Sequence, residues 1–189
     1  ALEHQIVLRG PADQENAQSW NEFLERSEDV SEAAARERAT QVSPEDLSDL
    51  LFTSGTTGQP KGVMTCHGQN LRAFETWTEV IGLTEGDRYL IVNPFFHSFG
   101  YKAGWLSCLI RGATALPQLV FDVPEVLRRV GEDRISVLPG PPTLYQSILA
   151  HPERDQFDLS CLRLAVTGAA AIPVQLIHQM RDELGFETI

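Results

Sequence analysis

From residue 88 onward the chain alternates short apolar runs with amphipathic stretches. Strand-like runs fall at 88–92, 113–116, 135–138 and 163–167, and helical periods fall at about 100–110, 123–132, 142–150 and 173–184. Only a few residues separate each run from the next. Strand and helix alternating over such short connections build βαβ units, whose strands lie parallel with helices on both faces of the sheet. Asp122 and Pro124 stand where a helix cap and an early helical proline belong. Phe186–Ile189 reads as the start of one more strand. A chain that stops in mid-element is expected to be a fragment.

The first part is less regular. Residues 5–10 read as a short strand ending at Gly10, and 11–18 as a polar loop. Trp20, Phe23 and Leu24 share one helical face. Residues 31–39 hold good helix formers but little apolar surface, which fits an exposed helix or a partly ordered linker. Ser43–Asp46 suggests a short helical turn. An apolar strand at 50–53 and a second at 63–65 flank a loop. Leu71, Phe74, Trp77 and Ile81 then mark a helix that Gly82 ends. The expected fold class is α/β in parts of two layered lobes. Residues 1–86 would form a partial first lobe, and 87–189 a second that is mostly parallel sheet.

Composition narrows the function classes. A chain of 189 residues can bury a core without disulfides or metal. Its net charge is −11, and Lys61 and Lys102 are its only lysines, so no nucleic-acid partner is expected. The acid excess is concentrated in front: the first fifty residues hold 12 of the 26 acids but 4 of the 15 bases. It therefore need not repel an anionic substrate bound further along. Three separated cysteines (Cys66, Cys108, Cys161) form neither a disulfide framework nor a zinc pattern, and the five histidines are scattered. A cytoplasmic setting is expected. No run of about 18 apolar residues exists to span a membrane, and residues 1–5 lack the start of a signal peptide.

The strongest chemical signal is Thr53-Ser54-Gly55-Thr56-Thr57-Gly58-Gln59-Pro60-Lys61-Gly62. Its glycines let backbone come close to a ligand, its four hydroxyls add donors, and Lys61 adds a point charge. The set suits a polyphosphate. It is not a Walker A loop, because Lys61 lies three residues past Gly58 and a strand follows it rather than a helix. A plain Gly/Ser/Thr hairpin loop is the other reading. A spacer has no need of four hydroxyls, three glycines and one of two lysines within ten residues.

This stretch, from Leu51 to Gly62, resembles the phosphate-loop signature of the adenylate-forming (AMP-binding) enzymes. Pro94-Phe95-Phe96-His97-Ser98-Phe99-Gly100 resembles that family's histidine–aromatic segment, and Thr167-Gly168-Ala169-Ala170-Ala171-Ile172-Pro173 its adenine-side loop. The three occur in the family's order. The resemblance covers nearly the whole chain. Within the family, Asn93–Gly104 and Leu138–Thr143 most resemble the acyl-CoA ligases of steroid-ring breakdown, which activate an indane-dione propionate.

The resemblance implies an ATP-dependent carboxylic acid–CoA ligase. Thr53, Ser54, Gly55, Thr56, Thr57, Gly58 and Lys61 would hold the phosphates of ATP, with Thr56 touching Mg²⁺. Phe96, His97, Phe99 and Gly100 would line the acyl pocket, and Gly168, Ala169 and Ala170 the adenine side. The implied partners are a small-molecule carboxylic acid, ATP and coenzyme A, the acid being bulky and apolar or steroid-derived. The family's aromatic-glycine-x-threonine-glutamate segment and the C-terminal domain with its adenylation lysine do not occur in these residues. The fragment alone is therefore expected to be inactive. Two other readings stand beside this one: a nucleotide-binding module without catalysis, and an adenylation domain that loads a carrier protein.

Several of these residues have plain structural readings as well. His97 can be a packed, hydrogen-bonded side chain, since no carboxylate stands near it in sequence to orient it as a base. The small residues at 167–171 can be a tight strand-to-helix turn. Pro139-Gly140-Pro141-Pro142 fits a rigid turn as well as a pocket wall. Lys102 reads better as a solvated helix lysine than as a substrate contact, and Tyr101, Trp105 and Cys108 read as core.

Overall fold

The computed structural model describes residues 4–54, 58–168 and 170–189. The chain divides into two compact units at 46/47, so the lobe boundary expected at 86/87 falls inside the second unit.

In the first unit, β1 (Gln5–Val7) pairs in parallel with β2 (Ala17–Ser19). β2 lies in the stretch expected to be loop. Ala-Gln-Ser lacks the apolar alternation that marks a strand, and the pairing is carried by backbone alone. Helix α1 (Trp20–Glu25) starts with a capping box: Ser19 Oγ accepts from Glu22 N at 3.3 Å, and Glu22 Oε2 accepts from Ser19 N at 2.7 Å. A 3₁₀ turn follows at Arg26–Asp29, then α2 (Glu32–Thr40), capped by Ser31 and exposed along its whole length. Ser43–Asp46 is a hydrogen-bonded turn and not a helix, because the Asp46 carboxylate folds back onto the Ser43 amide at 2.8 Å.

The second unit opens with a hairpin. β3 (Leu47–Thr53) pairs antiparallel with β4 (Lys61–Cys66), from Asp49↔Thr65 at its base to Thr53↔Lys61 at its tip. Helix α3 (His67–Ile81) follows and ends at Gly82, whose φ of 71° suits glycine.

The rest is built on a parallel sheet of β5 (Arg88–Ile91), β6 (Thr114–Pro117), β7 (Val137–Pro139) and β8 (Leu164–Val166) in the order β6-β5-β7-β8. Thr188 makes an isolated parallel bridge to Leu164, where the sequence suggests the start of a further strand. Successive strand residues point to opposite faces. Leu90, Leu138 and Ala165 point into one core with α6 (Val123–Glu132), α7 (Pro142–Leu149) and α8 (Val174–Leu184). Tyr89, Ile91, Val137 and Leu164 point into the other, with Leu83, Cys108 and the edges of Ile81 and Trp105.

The expected helix at 100–110 is a composite. A short turn, α4 (Ser98–Gly100), runs into a π-helical turn at Tyr101–Leu106 and then α5 (Ser107–Arg111). Gly104 breaks the helical backbone at φ −89°, ψ −105°, where a Cβ would lie 3.2 Å from Ile91 Cγ2. Cys108 is core as expected, whereas Tyr101 and Trp105 are half-buried and stacked, with ring centroids 4.8 Å apart.

Polar groups pin the amino-terminal edge of this sheet. Asp87 lies just before β5 and is gripped by Arg163 from just before β8. It also accepts from Ser136 Oγ at 2.7 Å and from the Thr84 amide at 2.8 Å. The carboxyl-terminal edge opens into cavities.

Candidate active site

The strand order places a topological switch between β5 and β7. The connection after β5 leads to one side of the sheet, to β6, and that after β7 to the other, to β8. Loops splay apart at such a point, and open α/β sheets bind ligands there, beyond the carboxyl ends of the strands. A pocket of about 160 Å³ sits at this place, lined by Asn93, His97 and Phe99 after β5, Gly140 and Pro141 after β7, and Gly168 after β8. A second cavity, about 530 Å³, opens between the ends of β5 and β6 against Pro94, Phe95, Phe96 and Leu119. A third, about 220 Å³, lies against Phe121, Pro141 and Leu144. Asn93 lines all three.

Local sequence explains the geometry. Gly100 is buried against the turn that carries His97, and a Cβ there would run into the carbonyl oxygens of Asn93 and Pro94. Only glycine lets the chain fold back this closely. A Cβ on Gly140 would lie 2.6 Å from Leu144 Cδ1, so α7 packs directly against this glycine. Pro142 begins α7, so the proline run is both a rigid turn and, through Gly140 and Pro141, a pocket wall.

His97 caps α4: its Nδ1 accepts from the Phe99 amide at 3.1 Å. An Nδ1 that accepts leaves the proton of a neutral ring on Nε2. The exposed imidazole thus offers a donor to whatever enters the pocket it lines. The structural and the site reading of His97 are therefore compatible. Thr167, at the end of β8, holds a buried hydroxyl oxygen with no hydrogen-bond partner among the described residues.

The sequence-predicted site residues divide into groups. His97, Phe99 and Gly168 share one pocket, Phe96 opens into the neighbouring one, and Gly100 is the buried support beneath them. Ala170 is exposed beyond Gly168, and Ala169 lies outside the described residues. Thr53 and Lys61 face each other as the last pair of the hairpin, both exposed, with Ser54 and Gly58 (φ 80°) inside the loop. Gly55, Thr56 and Thr57 lie outside the described residues. The described hairpin residues line none of the three cavities.

Lys102 departs from expectation. It is buried, with its Nζ 3.0 Å from Asp49 Oδ1 and 2.9 Å from Thr65 Oγ1. Burial pushes the Asp49 carboxyl up, but hydrogen bonds from Thr65, Lys102 and Asn70, with the Lys102 charge, bring it below its ordinary range. The kink at Gly104 and the π-helical turn aim Lys102 inward, and helical periodicity alone gives no sign of either. Asn93 was also missed as a pocket residue. Its signals were its place just past a strand's carboxyl end and at the head of the 93–104 segment.

The profile of the family described as AMP-binding enzyme matches residues 2–189. The chain belongs to the AMP-binding enzyme family. Among its relatives is the 3-[(3aS,4S,7aS)-7a-methyl-1,5-dioxo-octahydro-1H-inden-4-yl]propanoyl:CoA ligase of Rhodococcus jostii (strain RHA1). That ligase is 50% identical over 188 residues, covering 97% of this chain and 36% of the relative. The chain thus spans about a third of the curated relative's length. Solved structures agree on the fold. The inhibitor-bound N-terminal domain of FACL13 from Mycobacterium tuberculosis matches with a TM-score of 0.77 and 26% identity, over 91% of this chain and 42% of that one. The O-succinylbenzoate coenzyme A synthetase (MenE) of Bacillus subtilis, in complex with ATP and magnesium ion, matches with a TM-score of 0.67 and 30% identity, over 77% and 30%. No helix among the described residues is long and apolar enough to cross a membrane.

Proposed function

We propose that this chain is part of a cytoplasmic, AMP-forming acyl-CoA synthetase that activates a bulky, apolar, steroid-derived carboxylic acid. The observation that carries the reading is the pocket at the switch point, walled by His97, Phe99, Gly140 and Gly168, in a chain half identical to an indane-dione propanoyl:CoA ligase.

The reaction has two steps. A carboxylate oxygen attacks the α-phosphorus of ATP, forming the acyl-adenylate and releasing pyrophosphate. The thiol of coenzyme A then attacks the acyl carbon and AMP leaves. Charge builds on phosphate oxygens in the first step, so fixed donors placed there lower the barrier. Lys61 and the hydroxyls and amides of residues 53–58 are that donor set, holding the β- and γ-phosphates as they depart. The Mg²⁺ that such chemistry uses would be held by phosphate oxygens, with the Thr56 hydroxyl beside it as the family resemblance implies. The His97 Nε2–H donates toward the acyl carboxylate, the phenylalanines exclude water around the apolar body, and Gly168, Ala169 and Ala170 let backbone approach the adenine ring.

The test uses the full-length enzyme with ATP, the indane-dione propionate and coenzyme A. Acid-dependent pyrophosphate release is expected. Lys61→Ala should slow that half-reaction far more than transfer from a supplied acyl-adenylate to coenzyme A. Equal loss in both steps overturns the assignment of the loop.

A further inference from the structure

The hairpin that carries Lys61 has little apolar burial to fix its pairing. Leu50, Phe52, Val63 and Met64 all remain exposed. Within this chain, which spans about a third of its curated relatives' length, apolar burial does not by itself fix the register, and a slip of one residue turns every side chain to the other face. At its base, however, stands a buried polar cluster. Lys102 Nζ donates to Asp49 Oδ1 and to Thr65 Oγ1, and Thr65 Oγ1 donates to Asp49 Oδ1 at 2.8 Å. Asn70 Nδ2 donates to Asp49 Oδ2 at 2.6 Å and to Ser48 Oγ at 3.1 Å. Asp49 and Thr65 are register partners, and the pairing shifts between Leu47 and Asp49, which leaves Ser48 as the extra residue of a bulge.

We infer that Lys102 is a positioning residue: by closing on Asp49 and Thr65 it locks the register of the β3–β4 hairpin. It thereby fixes Thr53 opposite Lys61 at the mouth of loop 54–60. A slipped hairpin would turn Asp49 away and strand a buried ammonium, so the penalty falls on the wrong register. Lys102 also lies five residues after His97, on the segment that leaves the pocket, so one side chain ties the loop's hairpin to the pocket's helical turn. The inference about pairing stands on geometry, and its consequence for ATP rests on the loop's proposed role.

The experiment compares full-length wild-type enzyme, Lys102→Met, and the double variant Asp49→Asn/Lys102→Met, which leaves no unpaired buried charge. Each also carries the register pair Leu51→Cys/Val63→Cys, which forms a disulfide only when the two positions face each other at short range. Peptide mass mapping reads that link. Wild type should cross-link efficiently, and both variants several-fold less. In the parallel set without the cysteine pair, KM for ATP should rise about tenfold through misplaced donors, while the double variant keeps a wild-type melting temperature. Wild-type cross-linking in the double variant overturns the lock, whatever ATP does. Should the wild-type enzyme show no acid-dependent pyrophosphate release, the ligase reading fails, and cross-linking alone decides the inference.

Discussion

Arg163 Nε donates a 2.8 Å hydrogen bond to Asp87 Oδ1, joining residues 76 positions apart across the amino-terminal edge of the sheet. Asp87 is 2% exposed, so Arg163 compensates a carboxylate that water barely reaches. Burial pushes the Asp87 carboxyl up, and bonds from Arg163, the Thr84 amide and Ser136, with the Arg163 charge, outweigh that and hold it below its ordinary range. Removing one partner of such a pair costs about 3 kcal/mol, and Arg163→Ala should lose about that much in urea unfolding at pH 7. The folded pKa is depressed, so the pair's contribution is fully present above the unfolded value of about 3.9. It is lost as pH falls through the folded value. The difference between wild type and variant should therefore shrink in acid. A constant difference from pH 7 to pH 3 would rule out this linkage.

Cys108 is 1% exposed, and burial, followed by the nearby Asp87 charge, pushes its thiol up to about 12. Thiolate is the reactive form, so a thiol this protonated and this buried is inert. At pH 8 an alkylating reagent should label Cys66 and Cys161, both half-buried, while Cys108 reacts only on unfolding. Mass mapping of the labelled peptides checks the order, and early labelling of Cys108 would contradict the packing of this core.

Gly100→Ala tests the fold-back beneath the pocket. The added methyl meets backbone carbonyls of Asn93 and Pro94, which have no flexible end to move aside. Overpacking of this kind costs about 1–3 kcal/mol, and the 93–97 turn is the element that must shift. The variant should lower the melting temperature of the full-length enzyme and raise KM for the acid more than KM for ATP. A rise confined to ATP would place the strain elsewhere.

The parallel sheet was legible because short apolar runs recur between helices long enough to show period and caps. Asp122 caps α6 through its side chain and Gly82 ends α3 in the left-handed region, both at the residues the sequence marks. What stayed hidden depends on backbone that propensity does not encode. The π-helical turn after Gly100 rotates Lys102 into the protein, where a regular helix reads it as solvated. The partner that makes its burial tolerable, Asp49, lies in another element far back in the chain. Likewise the residues around His97 named a pocket wall, but only the strand order brings Gly140 and Gly168 to the same cavity.

His97 holds two roles that one substitution can separate. Its Nδ1 caps the turn at Ser98, and its ring lines the pocket. Asparagine is among the best N-caps, and loss of a cap to alanine costs about 1 kcal/mol. His97→Asn should therefore keep wild-type stability, whereas His97→Ala should melt earlier. Asparagine does not reach as far as the imidazole Nε2–H, so it cannot restore a donor to an acyl carboxylate. If that donor orients the attack, both variants should lose acid-dependent pyrophosphate release by about a hundredfold, the scale of a misplaced reacting group, with KM for ATP little changed. If His97→Asn recovers both stability and rate, the residue is a cap alone, and the carboxylate must be held by another group at the carboxyl edge of the sheet.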